Sequence, residues 1–99
     1  MAQTPEEVKA KKVARKQAQI DGKIAKISFY EAKKMEANSV RLANMARSDN
    51  ATDAKLKAKF DKLVAMLEKR IVRLQASINR LEEKRLQYAQ ELAVLLGGF

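Results

Sequence analysis

Apolar residues recur at helical spacing through the first half of the chain. Seven of the larger ones fall within about 80° of one another when successive residues are placed 100° apart. They are Val13, Ile20, Ile24, Ile27, Met35, Leu42 and Met45. A glycine inside a helix costs about 1 kcal/mol, but the residues before and after Gly22 keep the same phase. The pattern therefore predicts one long amphipathic helix that continues through Gly22.

Start and stop signals predict the bounds of two helices. Thr4 can cap the first helix, Pro5 suits its first position, and Glu7 completes a Thr-x-x-Glu capping box. The polar segment that begins at Ser48 favours a connector, and Gly97 with its neighbour Gly98 supplies a left-handed stop. The predicted segments are helix 5–47, connector 48–52, helix 53–96 and a flexible C-terminal stub 97–99.

Two arms of similar length around a short polar connector predict an antiparallel helical hairpin, an all-α fold in one domain over 1–99. A fold at Asn50 would place residue i opposite residue 101 − i. That register predicts three favourable charge pairs and one clash. The pairs are Asp21 with Arg80, Glu31 with Arg70 and Lys33 with Glu68, and the clash is Lys16 with Arg85.

The second helix carries a strict seven-residue repeat, which predicts a coiled-coil seam. Arg85 is the one polar residue among its eleven a and d positions. β-Branched residues at a with leucine at d favour two parallel strands, so we expect hairpins to associate through this helix. The predicted oligomer interface is Phe60, Val64, Leu67, Ile71, Leu74, Ile78, Leu81, Tyr88, Leu92 and Leu95.

A second stripe on the first helix points to the same expectation. It consists of Ala14, Ala18, Ala25, Phe29, Ala32, Val40 and Ala43. Small residues at this spacing permit close helix approach, although alanine also fills exposed helical positions for its propensity alone. A lone hairpin has too little interior to cover both stripes, so association into a larger helical assembly is expected. We interpret the polar seam residues, such as Arg85, as fixing register rather than forming a functional cluster.

Charge is segregated around the predicted helices. The chain has 21 Lys and Arg against 12 Asp and Glu, a formal charge of +9. Interspersed signs would be enough for a solvated surface, so one-sign faces indicate an anionic partner. The predicted anion-binding residues are Lys9, Lys12, Arg15, Lys16, Lys23, Lys26, Lys33, Lys34, Arg41, Lys59, Lys62, Lys69, Arg73 and Arg80.

Nucleic-acid phosphate is the expected anion, with an acidic protein surface as the alternative. Lysine predominates over arginine on the first helix, and lysine meets phosphate as a point charge without reading bases. Few aromatic residues are interleaved for base stacking. Binding should therefore be independent of sequence and steeply sensitive to salt. The alanine-diluted apolar stripe makes anionic lipid a weaker candidate.

Several functions are excluded by composition. The chain has no cysteine, histidine or tryptophan, so thiolate and imidazole chemistry and Cys/His zinc sites are absent. No glycine-rich phosphate loop or convergent carboxylate pair is present, and we expect no enzyme activity, cofactor, metal or small-molecule substrate. The apolar run at 92–96 is too short to span a bilayer, and no secretory signal is recognisable. The expected location is the cytoplasm or the inside of a macromolecular particle.

A two-helix hairpin of this length resembles the small secreted WXG-type proteins, but the connector lacks their Trp-x-Gly and no family is assigned. The predicted function is a non-enzymatic, self-associating structural protein whose basic face contacts an anionic partner, for example inside a virion. The alternatives are a free-standing dimeric nucleic-acid-binding protein with an accessory or regulatory role, and a coiled-coil adaptor without an anionic partner. Phe99 either docks on a partner or folds back on its own helix end.

Overall fold

The fold consists of two long helices in a computed structural model that describes residues 2–97. Helix α1 spans Pro5–Asn50 and helix α2 spans Ala54–Leu95, with no strand among the described residues. The prediction of an all-helical chain is confirmed. The predictions for Gly98 and Phe99 lie outside the described residues.

The helix ends follow the predicted capping chemistry. The Thr4 hydroxyl accepts a hydrogen bond from the Glu7 amide at 3.2 Å, which satisfies one of the free amides of the first turn. Asp53 does the same for α2, where its Oδ1 accepts from the Lys55 amide at 3.0 Å. Gly97 adopts a φ of 82° and its amide donates to the Val94 carbonyl. The predicted left-handed stop is therefore confirmed at Gly97.

The connector is shorter than predicted and comprises residues 51–53. The prediction that the first helix ends at residue 47 is wrong because its polar residues are accommodated within the helix. Asn44 donates to the Val40 carbonyl at 2.9 Å. Ser48 donates to the Asp61 carboxylate of α2, and both Asn44 and Ser48 are buried. Their side chains thus find partners without ending the helix.

The chain divides into two compact units, and each contains part of both helices. We name them the terminal unit, with described residues 2–28 and 79–97, and the connector unit, residues 29–78. In the terminal unit the start of α1 lies against the end of α2, as shown by an ion pair between Lys16 and Glu91. In the connector unit α1 turns directly into α2. The two helices therefore run antiparallel in each unit, as predicted.

The predicted register is wrong by about two helical turns. Lys16 contacts Glu91 in the terminal unit, six residues beyond the predicted Arg85. In the connector unit the Lys34 ammonium lies 2.5 Å from Gln75 Oε1, eight residues beyond Leu67, its predicted counterpart. The chain therefore folds back about a point near Ala54 rather than Asn50, and a shift of three to four residues in that point moves the facing residue of α2 by six to eight.

The a and d positions of the α2 repeat form the side of α2 that the rest of the chain covers. All eleven of its a and d positions, from Phe60 to Leu95, are half-buried or buried. A matching line with alternating steps of three and four residues runs along α1, and we call these two lines the inward lines. The inward line of α1 is Val13, Lys16, Ile20, Lys23, Ile27, Tyr30, Lys34, Ala37, Arg41, Asn44 and Ser48.

The predicted apolar stripe of α1 leaves this line after Ile27. The next apolar residue of the stripe, Met35, comes eight residues later instead of seven, which turns it about 100° away from the inward line. Met35 and Leu42 are consequently 70% and 51% exposed, while Lys34 and Arg41 face inward. Ile24, Met35, Leu42 and Met45 of the predicted stripe therefore stay exposed in the hairpin.

The resulting core is small. Within the described residues the buried apolar side chains are Ile20, Ala37 and Ile78, and only Ile20 and Ile78 are large. Fourteen larger apolar side chains stay exposed. Two helices side by side have one line of contact, so most apolar surface has no second layer to cover it.

Candidate functional site

Each helix presents a basic flank and an acidic flank on either side of its inward line. In each helix, residues one position before an inward residue lie on one flank, and residues one position after it lie on the other. The first flank holds ten cations and two carboxylates, and we call it the basic flank. The second holds six carboxylates and no cation, and we call it the acidic flank.

The cations of the basic flank divide equally between the two units. In the terminal unit they are Lys12, Arg15, Lys26, Arg80 and Lys84. In the connector unit they are Lys33, Arg47, Lys59, Arg70 and Arg73. The carboxylates of the acidic flank are Asp21 and Glu82 in the terminal unit and Glu31, Asp49, Asp61 and Glu68 in the connector unit. Opposite signs are thus separated on the two flanks of each unit, which predicts attraction of an anionic partner to the basic flank of that unit.

Equivalent flanks of the two helices lie on the same side within each unit, because two antiparallel helices that face one another turn the residues before their inward lines to the same side. In the terminal unit a groove of about 470 Å³ is lined by basic-flank residues of both helices, including Lys12, Arg15 and Glu91. In the connector unit Ser48 and Lys34 donate to Asp61 and Gln75 on the acidic side of α2. Each unit therefore joins the flanks of its helices into a continuous surface.

Lys16 ties the two helices together at the terminal groove. Its ammonium lies 2.5 Å from Glu91 Oε2 and 4.8 Å from the centre of the Tyr88 ring. The hydrogen bond from Lys16 lowers the pKa of Glu91, and the Coulomb attraction of Lys16 and a hydrogen bond from Gln87 act in the same direction. Glu91 therefore neutralises Lys16 and leaves Lys12 and Arg15 as the cations of this groove, whose floor includes Val94 and Leu95.

The connector unit carries a second cationic groove along α2. It has a volume of about 500 Å³, and its lining includes Lys69, Arg70 and Arg73 beside Met66 and Leu74. The three cations are exposed. An arginine presents several donors in a fixed plane, so this groove suits an anionic group with more than one acceptor oxygen.

The structure turns four of the predicted anion-binding residues toward α2. They are Lys16, Lys23, Lys34 and Arg41, all on the inward line of α1. The prediction that they share an outer surface with the other cations is wrong, because it took the outer face from the apolar stripe. Of the other predicted residues, Lys12, Arg15, Lys26, Lys33, Lys59, Arg73 and Arg80 lie on the basic flank, and Lys9, Lys62 and Lys69 are exposed outside it.

Three cations of the basic flank were missed as candidate site residues, namely Arg47, Arg70 and Lys84. A usable signal was present for two of them. Arg70 and Lys84 each directly precede an a position of the α2 repeat, so the repeat places them on the same side as Arg73 and Arg80. Arg47 could not be placed on a flank in this way. Its flank depends on the inward line of α1, which no apolar repeat in the sequence marks.

The predicted oligomer interface coincides with the inward line of α2. Nine of its ten residues are half-buried by the chain itself, and Ile78 is buried. The role of these residues in self-association stays a prediction. The apolar side chains that the hairpin leaves exposed lie instead on the flanks and the outer side, with Met35 and Val72 the most exposed at 70% and 68%.

The described part of the chain has no candidate metal site and no membrane-spanning stretch. Residues 2–97 contain no group of three or more His, Cys, Asp or Glu side chains placed to hold a metal ion. Neither α1 nor α2, as described, has a stretch that is both long and apolar enough to cross a bilayer.

Comparison of the chain with protein-family models, curated proteins and solved structures finds no match.

Proposed function

We propose that this protein is a non-enzymatic, self-associating structural component of a larger nucleoprotein assembly, whose basic flank contacts nucleic-acid phosphate. The observation that carries the proposal is the separation of charge, with ten cations on one flank and none on the other. Repulsion among cations on one flank is relieved when a polyanion lies along it. A surface that serves only solubility gains nothing from this separation.

The cations of the terminal unit are well placed for this contact. Lys12, Lys26 and Lys84 are exposed and form no ion pair with a described residue. Their ammonium groups are therefore available to replace the counterions of a phosphate backbone. Lys16 and Lys34 do not share this availability, because Glu91 and Gln75 hold them within the chain.

Contact with phosphate rather than with bases is favoured by the positions of the aromatic residues. Among the described aromatic side chains, Tyr30, Phe60 and Tyr88 lie on the inward lines. Phe29 is the exception at 58% exposed, and the Lys33 ammonium lies 5.5 Å from the centre of its ring. A stacking platform for single-stranded bases needs several exposed aromatic rings in succession, so we propose binding to duplex without sequence preference.

Self-association is supported by the apolar surface that the hairpin leaves uncovered. Fourteen larger apolar side chains are exposed, against two that are buried. Water contact with this surface costs roughly 25 cal/mol per Å² relative to burial. Association of several copies would remove part of this surface from water and bring the free cations of several copies to one polyanion.

Removing three lysines from the basic flank tests the nucleic-acid contact. In the variant Lys12→Gln, Lys26→Gln, Lys84→Gln we expect affinity for random-sequence duplex to fall at least tenfold at moderate salt. The slope of log affinity against log salt should become shallower by about 2 to 3, since each lost phosphate contact removes about 0.9. Fluorescence anisotropy at four salt concentrations measures both quantities.

The matched control removes the same charge elsewhere. The variant Lys11→Gln, Lys55→Gln, Lys62→Gln loses three exposed lysines that lie outside both flanks and line neither cationic groove. We expect it to lose less than threefold in affinity. Equal losses of affinity in the two variants would show that net charge alone drives binding. No detectable binding of wild-type protein to duplex at about 50 mM salt would refute the nucleic-acid contact.

A further inference from the structure

The acidic flank of the connector unit combines carboxylates with large exposed apolar side chains. Met35, Leu42, Met45 and Val72 lie on it and are 40–70% exposed. Glu68 and Asp49 are exposed on the same flank and form no ion pair with a described residue. This flank is thus a mixed surface whose charge is negative.

The basic flank on the opposite side of the same unit has the complementary composition. Val40, Leu63 and Met66 lie on it and are 36–57% exposed. Exposed cations, among them Arg70 and Arg73, surround these apolar residues, and neither arginine forms an ion pair with a described carboxylate. Each flank of the connector unit therefore offers apolar contacts and the charge that the other flank lacks.

We infer that the acidic flank of the connector unit binds the basic flank of the connector unit in a second copy of this chain. The inference deepens the self-association in the proposed function. A second copy is the occupant that the charges favour, because it supplies Arg70 and Arg73 opposite Glu68 and Asp49. The exposed apolar residues of one flank would then meet those of the other, as at the core of a protein interface.

The mode of contact follows from the signs of the charges. A two-fold symmetric dimer would place a flank against its own copy, so that like charges would face one another. Contact between opposite flanks is heterologous instead. In a bound pair, one copy keeps a free basic flank and the other copy keeps a free acidic flank. Copies would therefore add in an open-ended series through their connector units. The terminal unit keeps its own five basic-flank cations for the polyanion.

Charge reversal on one flank at a time tests the inference. The first variant is Asp49→Lys with Glu68→Lys, and the second is Arg70→Glu with Arg73→Glu. All four residues are exposed, and Asp61 is left intact because it accepts the hydrogen bond from buried Ser48. Circular dichroism confirms that each variant keeps its helices, and sedimentation velocity over a range of concentrations reports association.

We expect wild-type protein to form a concentration-dependent series of species. Each variant alone should associate at least tenfold more weakly, because its two reversed positions then face side chains of the same sign on the other flank. An equimolar mixture of the variants should recover association to within about threefold of wild type, since opposite signs face one another again.

Two outcomes would overturn the inference. If either helical variant associates like wild type by itself, self-association stands but uses another surface. If both variants are weakened and their mixture does not recover, the two flanks do not bind each other. The duplex-binding experiment is interpreted independently of the association experiment. Its lysine substitutions leave both flanks of the connector unit unchanged.

Discussion

Replacing Ile78 by aspartate should abolish the cooperative folding of the hairpin. Ile78 is 3% exposed, the lowest value among the buried apolar residues of the described chain. Burying an unpaired carboxylate costs several kcal/mol. Small domains have roughly 5–15 kcal/mol of stability in total, and a core with two large buried side chains lies toward the bottom of that range.

Far-UV circular dichroism during a urea titration measures this effect. We expect the Ile78→Asp variant to lose most of its helix signal before any denaturant is added. The control is Ala76→Asp, which places the same residue at an exposed position on the same helix and should cost less than about 1 kcal/mol. A variant at Ile78 that unfolds with the wild-type midpoint would show that the inward line of α2 is not the core.

Completing the apolar line of α1 should stabilise the hairpin. Lys34 and Arg41 lie on the inward line, where α2 supplies leucines and isoleucines. In the variant Lys34→Leu, Arg41→Leu, each leucine would bury apolar area in place of a partly desolvated cation. We expect a gain of about 2 kcal/mol for the pair, because one half-buried leucine contributes roughly 1 kcal/mol. Replacing buried ionic groups by apolar ones is often neutral or stabilising.

The midpoint and slope of urea denaturation give the change in free energy of unfolding. The control, Lys62→Leu with Lys69→Leu, adds two leucines at exposed outer positions and should give no comparable gain. A loss of stability in the Lys34 and Arg41 variant would contradict this account. It would mean that the hydrogen bond from Lys34 to Gln75 between the helices, together with the bond from Arg41 to Asn38 within α1, stabilises the hairpin more than two leucines do.

The second helix was predictable because its repeat is both strict and apolar. From Phe60 to Leu95 every a and d position is an inward one, and the capping residues Thr4 and Gly97 act as predicted. A local signal of this kind needs no knowledge of the partner helix. Continuation of α1 through Gly22 was predictable for the same reason, since the apolar phase is unchanged across it.

The packing face of the first helix was not predictable from its own sequence. In its connector half the strongest apolar pattern, through Met35 and Leu42, lies on an exposed flank, whereas Lys34, Arg41 and Ser48 face inward. The seven-residue repeat of α2 selects a matching line on α1, and an ideal helix drifts about 20° per heptad from such a line. Tertiary packing thus overrides the amphipathic pattern, and the separation of the two flanks becomes visible only once the inward line is known.

The end of α1 escaped prediction for a related reason. Asn44 and Ser48 are residues that favour caps and turns when they are considered locally. In the fold, Asn44 bonds the carbonyl four residues earlier and Ser48 bonds Asp61 of the other helix. Knowing that Ser48 faces Asp61 requires the register, which itself depends on where α1 ends.

The central claim is that the hairpin buries too little to be stable alone and is stabilised by association with further copies. The most direct measurement is the thermal unfolding midpoint at about 2 and 200 µM protein, with sedimentation equilibrium at both concentrations. Mass action over a hundredfold range contributes about 2.7 kcal/mol, which corresponds to a rise of about 10 °C or more for a chain of this size. We predict that rise together with an increase in mass, whereas a monomer with one unchanged midpoint at both concentrations would contradict the claim.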